Sequence, residues 1–71
     1  MRTLKIGGRY RHYKGNEYVV KGVARHSETL EEMVIYEAQY GEGEVWVRPR
    51  EMFLEEVEVG GRKVPRFAEI E

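Results

Sequence analysis

The chain contains no cysteine, so it has neither a disulfide bond nor a thiolate ligand for a metal. It also lacks aspartate and has one serine and two histidines, which leaves few candidates for a nucleophile, a general base or a metal ligand. No stretch approaches the roughly 20 apolar residues of a membrane-spanning helix, and no apolar run follows Met1. We therefore expect a cytoplasmic protein with no membrane segment, no cofactor and no metal site.

The length limits the size of the core. A chain of 71 residues forms one small domain, in which about 60% of the unfolded chain's surface becomes buried. Because disulfide bonds are absent, core packing or association with a second copy must supply the stability. We expect residues 1–71 to be a single domain, either a monomer or a homodimer.

The charges are unevenly distributed along the chain, although the formal net charge is only -1. Residues 1–26 carry seven Lys or Arg against one Glu, whereas residues 27–71 carry five against twelve. In a small antiparallel fold the early and late strands are neighbours, so we expect these opposite charges to pair across the surface. The pattern does not predict the basic face that binds duplexes without sequence preference.

Short apolar stretches separated by turn-forming residues predict a mainly β protein. Turns are expected at residues 14–17, 41–44 and 60–61, where Gly and Asn tolerate positive φ. Pro49 should end a strand and lead into a single 3₁₀ turn over residues 50–53. Five or six strands of this kind predict a small SH3-like antiparallel barrel, with an OB-like barrel as the alternative.

The strand over residues 18–25 predicts which side chains face the core. Lys21 belongs on the outer face, so the alternating set that contains Tyr18, Val20, Gly22 and Ala24 is expected to face inward. Continued to the next residue, this pattern places His26 inward as well. We expect His26 to make a fixed hydrogen bond that orders the turn up to residue 31.

Several motifs, in order along nearly the whole chain, resemble one family of short bacterial proteins. They are HSETLE at 26–31, WVRP at 46–49 with Met52 and Phe53, VPRF at 64–67, and the earlier Tyr10, His12, residues 14–16, Tyr18 and Val20. This set is similar to the family catalogued as domain of unknown function 1653. The resemblance implies no activity, cofactor or partner, so it assigns no catalytic residue.

The residues themselves predict a binding surface. Trp46 and Arg48 share one face of their strand, and Phe53 on the adjoining turn, with Arg25 and His26, completes an aromatic and cationic patch. We expect a non-enzymatic binding module for a peptide, a nucleotide or single-stranded RNA. The competing interpretation is that the single tryptophan is the centre of the core and that Arg48 pairs with a glutamate. Exposure of the indole ring distinguishes the two.

The alternative function is a minimal hydrolase that acts on a phosphodiester. His12 and His26 would serve as general acid and general base, while Arg25 or Arg48 stabilises the developing charge. This mechanism requires both imidazoles in one cleft. We do not expect an enzyme, because the chain is poor in nucleophiles and metal ligands.

Overall fold

The computed structural model describes residues 4–70, which fold mainly into β-strands. Within this range the structure has seven strands and one helix. In chain order they are β1 (Arg9–His12), β2 (Glu17–Arg25), β3 (Glu32–Ala38), β4 (Val45–Pro49), α1 (Arg50–Leu54), β5 (Glu56–Val59), β6 (Arg62–Pro65) and β7 (Phe67–Ile70). The predicted mainly β class is confirmed.

The strands form two antiparallel sheets, and within residues 4–70 neither sheet closes into a barrel. The larger sheet has the order β4-β3-β2-β1-β7, whereas β5 and β6 pair only with each other. Pro49 has no N–H to donate and the chain leads directly into α1, so no strand joins the two edges, β4 and β7. The predicted closure into an SH3-like or OB-like barrel is therefore wrong. The predicted 3₁₀ turn is also wrong, since α1 is a short α-helix.

The predicted turns are confirmed. The N–H of Gly15 donates to the carbonyl of His12 at 2.7 Å, and Gly15 has a φ of +111°, a region that favours glycine. Positive φ values also occur at Gly41, Gly43 and Gly60 in the later turns. These turns bring consecutive strands together as antiparallel hairpins.

Aromatic rings fill the buried face of the five-stranded sheet, which we call the inner face. Phe53 of α1 stacks on Phe67 of β7, with ring centres 4.1 Å apart and planes 4° from parallel. Tyr10 and Tyr36 contact these rings edge to face, an arrangement worth about 0.5–1.5 kcal/mol per pair beyond the burial itself. The buried core consists of Tyr10, Tyr18, Val20, Val34, Tyr36, Ala38, Phe53 and Phe67.

A β-bulge in β2 changes which residues face inward. The register with β3 shifts between Val20 and Gly22, so one extra residue lies between them. An extra residue reverses the alternation of faces, and Val23 rather than Ala24 therefore follows Val20 on the inner face. The predicted inward placement of Gly22, Ala24 and His26 is wrong for this reason.

Ion pairs connect neighbouring strands on the opposite, outer face, as the charge distribution predicts. Lys21 of β2 lies 3.9 Å from Glu37 of β3, and both Arg9 and Arg11 of β1 contact Glu17. The hydrogen bond from Arg11 has the largest effect on the pKa of Glu17 and lowers it. Burial opposes this effect, but the hydrogen bond from Arg9 and the charges of both arginines keep the pKa below its usual value. Exposed pairs of this kind contribute little to stability individually.

Candidate functional site

Trp46 and Arg48 lie on the inner face of β4, at the rim of the core. Trp46 is opposite Tyr36 and Arg48 is opposite Val34, and both of these β3 residues are buried. The indole of Trp46 is nevertheless 47% exposed, because β4 is an edge strand with no neighbour on its other side. The interpretation of Trp46 as the centre of the core is therefore wrong.

Arg48 reaches from β4 across the core towards β7. Its Nε donates to the hydroxyl of Tyr36 at 3.3 Å, and its guanidinium carbon lies 5.8 Å from the centre of the Phe67 ring. Among residues 4–70, no carboxylate forms an ion pair with Arg48. The alternative in which a glutamate pairs with Arg48 does not apply to this part of the chain, and the cation keeps donors for a ligand.

His12 of β1 contacts the same Phe67 ring. Its ring meets Phe67 edge to face at 4.9 Å and lies against Tyr13 at 4.5 Å, while Lys14 Nζ is 5.8 Å from the centre of the Tyr13 ring. His12 Nδ1 accepts a hydrogen bond from the N–H of Lys14 at 3.2 Å. We call Arg48, Phe67, His12, Tyr13 and Lys14 the cationic row, since basic groups and rings alternate along it.

Electrostatic repulsion within this site acts on His12. Partial burial lowers the pKa of His12 below 6.5, and the positive charges of Arg48, Arg66 and Lys14 lower it further. Of these cations, Arg66 is held by Glu55 at 2.8 Å, while its buried Nε has no hydrogen-bond partner within the described residues. Several positive charges therefore lie near His12, where they would favour an anion.

Arg25 and His26 lie elsewhere and serve the turn after β2. Arg25 Nη1 donates to the carbonyl of Leu30 at 2.9 Å. His26 Nδ1 accepts hydrogen bonds from the N–H groups of Glu28 and Thr29 at 3.1 and 3.3 Å, so His26 orders the turn as predicted, although from a half-exposed position. These contacts explain the clustered polar residues by local structure, and within residues 4–70 no side-chain hydrogen bond or ion pair joins either of them to Trp46 or Arg48.

Phe53 does not belong to a surface patch, because it is fully buried beneath Phe67. The two histidines are also far apart. The N–H of His12 donates to the carbonyl of Asn16, just before β2, whereas His26 follows the last residue of that strand. At about 3.3 Å per residue, the nine residues of β2 separate its ends by roughly 26 Å. The structure therefore brings Trp46 and Arg48 together, and separates His12 from His26.

A shallow cleft of about 240 Å³ lies beside Trp46, lined by Tyr40, Glu42 and Glu44 among others. The hydroxyl groups of Tyr18 and Tyr40 are 2.8 Å apart at this end of the core. Burial, and then the hydrogen bond with Tyr40, raises the pKa of Tyr18 to about 12, so the phenol stays protonated near neutral pH. The cleft offers an aromatic wall with carboxylates at its edge.

A second cleft, of about 450 Å³, borders the cationic row at His12 and Tyr13. The β5–β6 hairpin supplies its far wall through Val59, Arg62 and Val64. Two arginines, Arg62 and Arg11, line this mainly apolar cleft, and Arg11 belongs to the outer face of the sheet, where it pairs with Glu17.

The sequence did not predict the roles of Tyr13, Lys14 and Arg66 in this site. The signal was present in part, because Arg66 and Phe67 belong to the VPRF motif. Their approach to His12 depends on the pairing of β1 with β7, which places His12 opposite Phe67. The sequence pattern within each strand does not show that β1 pairs with β7, because these strands lie far apart in the chain.

The described part of the chain, residues 4–70, contains no group of three or more His, Cys, Asp or Glu side chains arranged to hold a metal ion. No helix in this same range has the length and apolar character needed to cross a membrane.

Comparison with known proteins identifies the family. The family described as "Protein of unknown function (DUF1653)" matches residues 8–69. The chain is also similar to a crystal structure of a DUF1653 protein from Bordetella bronchiseptica, with 38% identity and a TM-score of 0.81 over 90% of this chain and 85% of the other. The search of curated proteins gives no match. The protein thus belongs to the DUF1653 family, as the resemblance of its motifs predicts.

Proposed function

We propose that this protein is a small, non-enzymatic binding module for single-stranded RNA. The observation that carries the proposal is the position of Arg48, which lies between the exposed indole of Trp46 and the imidazole of His12 without a carboxylate partner among residues 4–70. Stacking rings beside free cations are what a flexible strand of bases and phosphates requires.

The chemistry divides between the two ends of the site. Phosphates would meet Arg48 and Lys14, whose positive charges add to the effect of burial in lowering the pKa of His12, whereas Arg66 is already held by Glu55. A base could stack on Trp46 with little loss of conformational entropy, because β4 holds that residue in place. Stacking on an aromatic side chain contributes about 1–3 kcal/mol per base and tolerates different bases.

The outer face of the sheet has a different character, which favours a local site over general binding to duplexes. There Arg9, Arg11 and Lys21 are engaged by Glu17 or Glu37. These cations are already neutralised, so they contribute little counterion release on binding a polyanion.

The two-histidine hydrolase has no geometric support. His12 and His26 lie at opposite ends of β2, and the Nδ1 atom of His26 is occupied by the turn that follows. A peptide ligand is less favoured than RNA, because the basic groups around His12 match phosphates better than they match a neutral proline-rich strand.

The intrinsic fluorescence of Trp46, the only tryptophan, gives a direct test. Oligouridine should quench it, uridine monophosphate should do so more weakly, and a proline-rich peptide should have no effect. Affinity should fall with salt, with a slope of about −0.7 per phosphate contacted.

Two charge-matched variants provide the control. Arg48→Gln should weaken binding by about 2 kcal/mol, roughly thirty-fold in Kd, whereas Arg9→Gln on the outer face should leave the Kd unchanged. Equal effects of the two variants, or quenching by the peptide alone, would contradict the proposal.

A further inference from the structure

The free edge of β4 is unusual for its lack of protection. β4 pairs only with β3, and its residues Val45 and Val47 are 57% and 58% exposed on the outer face. Edge strands in monomeric proteins are commonly shielded by a charge, a bulge or a proline. Here Arg48 and Pro49 lie at the end of the strand, while its first three residues carry neither a charge nor a proline.

The register with β3 shows which backbone groups are free. The N–H of Ala38 donates to the carbonyl of Glu44 at 2.8 Å, so these two residues form a hydrogen-bonded pair. Because such pairs alternate along an antiparallel ladder, the N–H and C=O groups of Trp46 also point to β3. The N–H and C=O groups of Val45 and Val47 therefore point away from the sheet. Outside the ladder, no backbone hydrogen bond within residues 4–70 uses them.

These free groups match a second copy of the same strand. In an antiparallel pair centred on Trp46, Val45 of each copy lies opposite Val47 of the other, and all four N–H groups find a carbonyl. A pair centred on Val47 would instead place Pro49 opposite Val45, and because proline has no N–H it would leave the carbonyl of Val45 without a donor in each copy.

The side chains of the Trp46-centred register are also complementary. Glu44 lies opposite Arg48 of the second copy at both ends, so opposite charges face each other twice. On the same face the two Trp46 residues meet as a non-hydrogen-bonded pair, the position where cross-strand side chains are closest. On the outer face the exposed valines of the two copies cover one another.

We infer that β4 pairs with β4 of a second copy in this register, which joins two five-stranded sheets into one continuous ten-stranded sheet. The occupant of the edge is thus this chain itself, as the symmetric match of hydrogen bonds and charges indicates. The inference does not rest on RNA binding, although it uses two of the same side chains. In the dimer the two Trp46 residues meet and the terminal nitrogens of Arg48 face Glu44 of the second copy, while Nε stays on Tyr36, so edge pairing and RNA binding would compete.

Sedimentation equilibrium of the full chain, without RNA, tests the inference together with hydrogen exchange at individual amides. We expect a dimer, and the amides of Val45 and Val47 should become protected as the protein concentration rises. A monomer at millimolar concentration would overturn the inference. A dimer in which these two amides exchange rapidly would also overturn it, because the contact would lie elsewhere.

Paired substitutions test the register. Val45→Lys and Val47→Glu, each on the exposed outer face, should each weaken the dimer by about tenfold. The double variant should restore it, since residue 45 of one copy faces residue 47 of the other. If each single variant weakens the dimer and the double variant is weaker still, the Trp46-centred register is wrong. Circular dichroism of the monomeric variants checks that the fold is kept.

Discussion

The guanidinium carbon of Arg48 lies 5.8 Å from the centre of the Phe67 ring, and this contact links the two edge strands of an open sheet. The strands β4 and β7 share no ladder of hydrogen bonds, so side chains rather than backbone groups span the gap between them. His12 contacts the same ring from β1. One buried phenylalanine therefore sets the relative position of two basic groups, and through them the character of the site.

Replacing Arg48 should affect stability as well as ligand binding. Arg48→Gln removes the contact with Phe67 and leaves the Tyr36 hydroxyl without its donor, so we expect a loss of about 1–2 kcal/mol in the free energy of unfolding. Urea unfolding measures it, with Arg9→Gln as the control, expected within about 0.5 kcal/mol of the parent protein. Equal losses in the two variants would contradict the structural role of Arg48.

The two aromatic residues that the sequence placed together should behave differently. Trp46→Ala removes a half-exposed ring and should cost about 1 kcal/mol or less. Phe53→Ala removes a fully buried ring and should cost about 3–5 kcal/mol, which is enough to unfold a domain of this size. Thermal unfolding followed by circular dichroism compares them. Global unfolding of the Trp46 variant would show that the indole is part of the core.

The turn after β2 depends on the imidazole of His26. His26→Ala leaves the N–H groups of Glu28 and Thr29 without their acceptor, and we expect a loss of about 1 kcal/mol, as for a lost helix N-cap. His26→Asn offers a side-chain oxygen at a similar place and should recover part of the loss. An unchanged melting temperature in the alanine variant would remove this role.

The titration of His12 should reveal the charge that surrounds it. The pKa of His12 is lower in the folded protein than its ordinary value of 6.5, which applies to the unfolded chain. Between these two pKa values the unfolded chain binds more protons than the folded protein. The contribution of His12 to stability is therefore complete above pH 6.5 and is lost as the pH falls through that window. Imidazole chemical shifts give the pKa directly, and His12→Gln should abolish this part of the pH dependence.

RNA should shift the same titration in the opposite direction. A phosphate beside His12 stabilises the imidazolium and raises its pKa, so binding should strengthen as the pH falls towards 6. The imidazole signals of His26, at the other end of β2, should be the same with and without RNA. If the pKa of His12 is unmoved by saturating oligouridine, the phosphates do not lie at the cationic row.

Much of the local structure followed from the sequence. Gly15 and the later glycines marked the turns, and Tyr18 and Val20 were correctly assigned to the core. These predictions succeeded because the residue preferences of turns and the alternation of faces along a strand both depend only on residues that are close in the sequence. The bulge after Val20 has no comparable signal, and its single extra residue misplaced Gly22, Ala24 and His26.

The site was predicted only in part, for a related reason. Trp46 and Arg48 lie two residues apart on one strand, so their common face could be read directly. The approach of Arg48 to His12 requires Phe67, which reaches both residues only because β7 pairs with β1. Phe53 was misjudged because α1 turns it under the sheet, where it stacks on Phe67.

The most direct test of RNA binding is an amide chemical-shift titration of the isotope-labelled protein with oligouridine. We predict that the largest shifts occur at the Trp46 indole N–H and at the amides of Arg48 and His12, and that Arg48→Gln suppresses them. Amides near Glu37, on the outer face, should not move. Shifts confined to the cleft beside Arg62, or no shifts at millimolar RNA, would contradict the account.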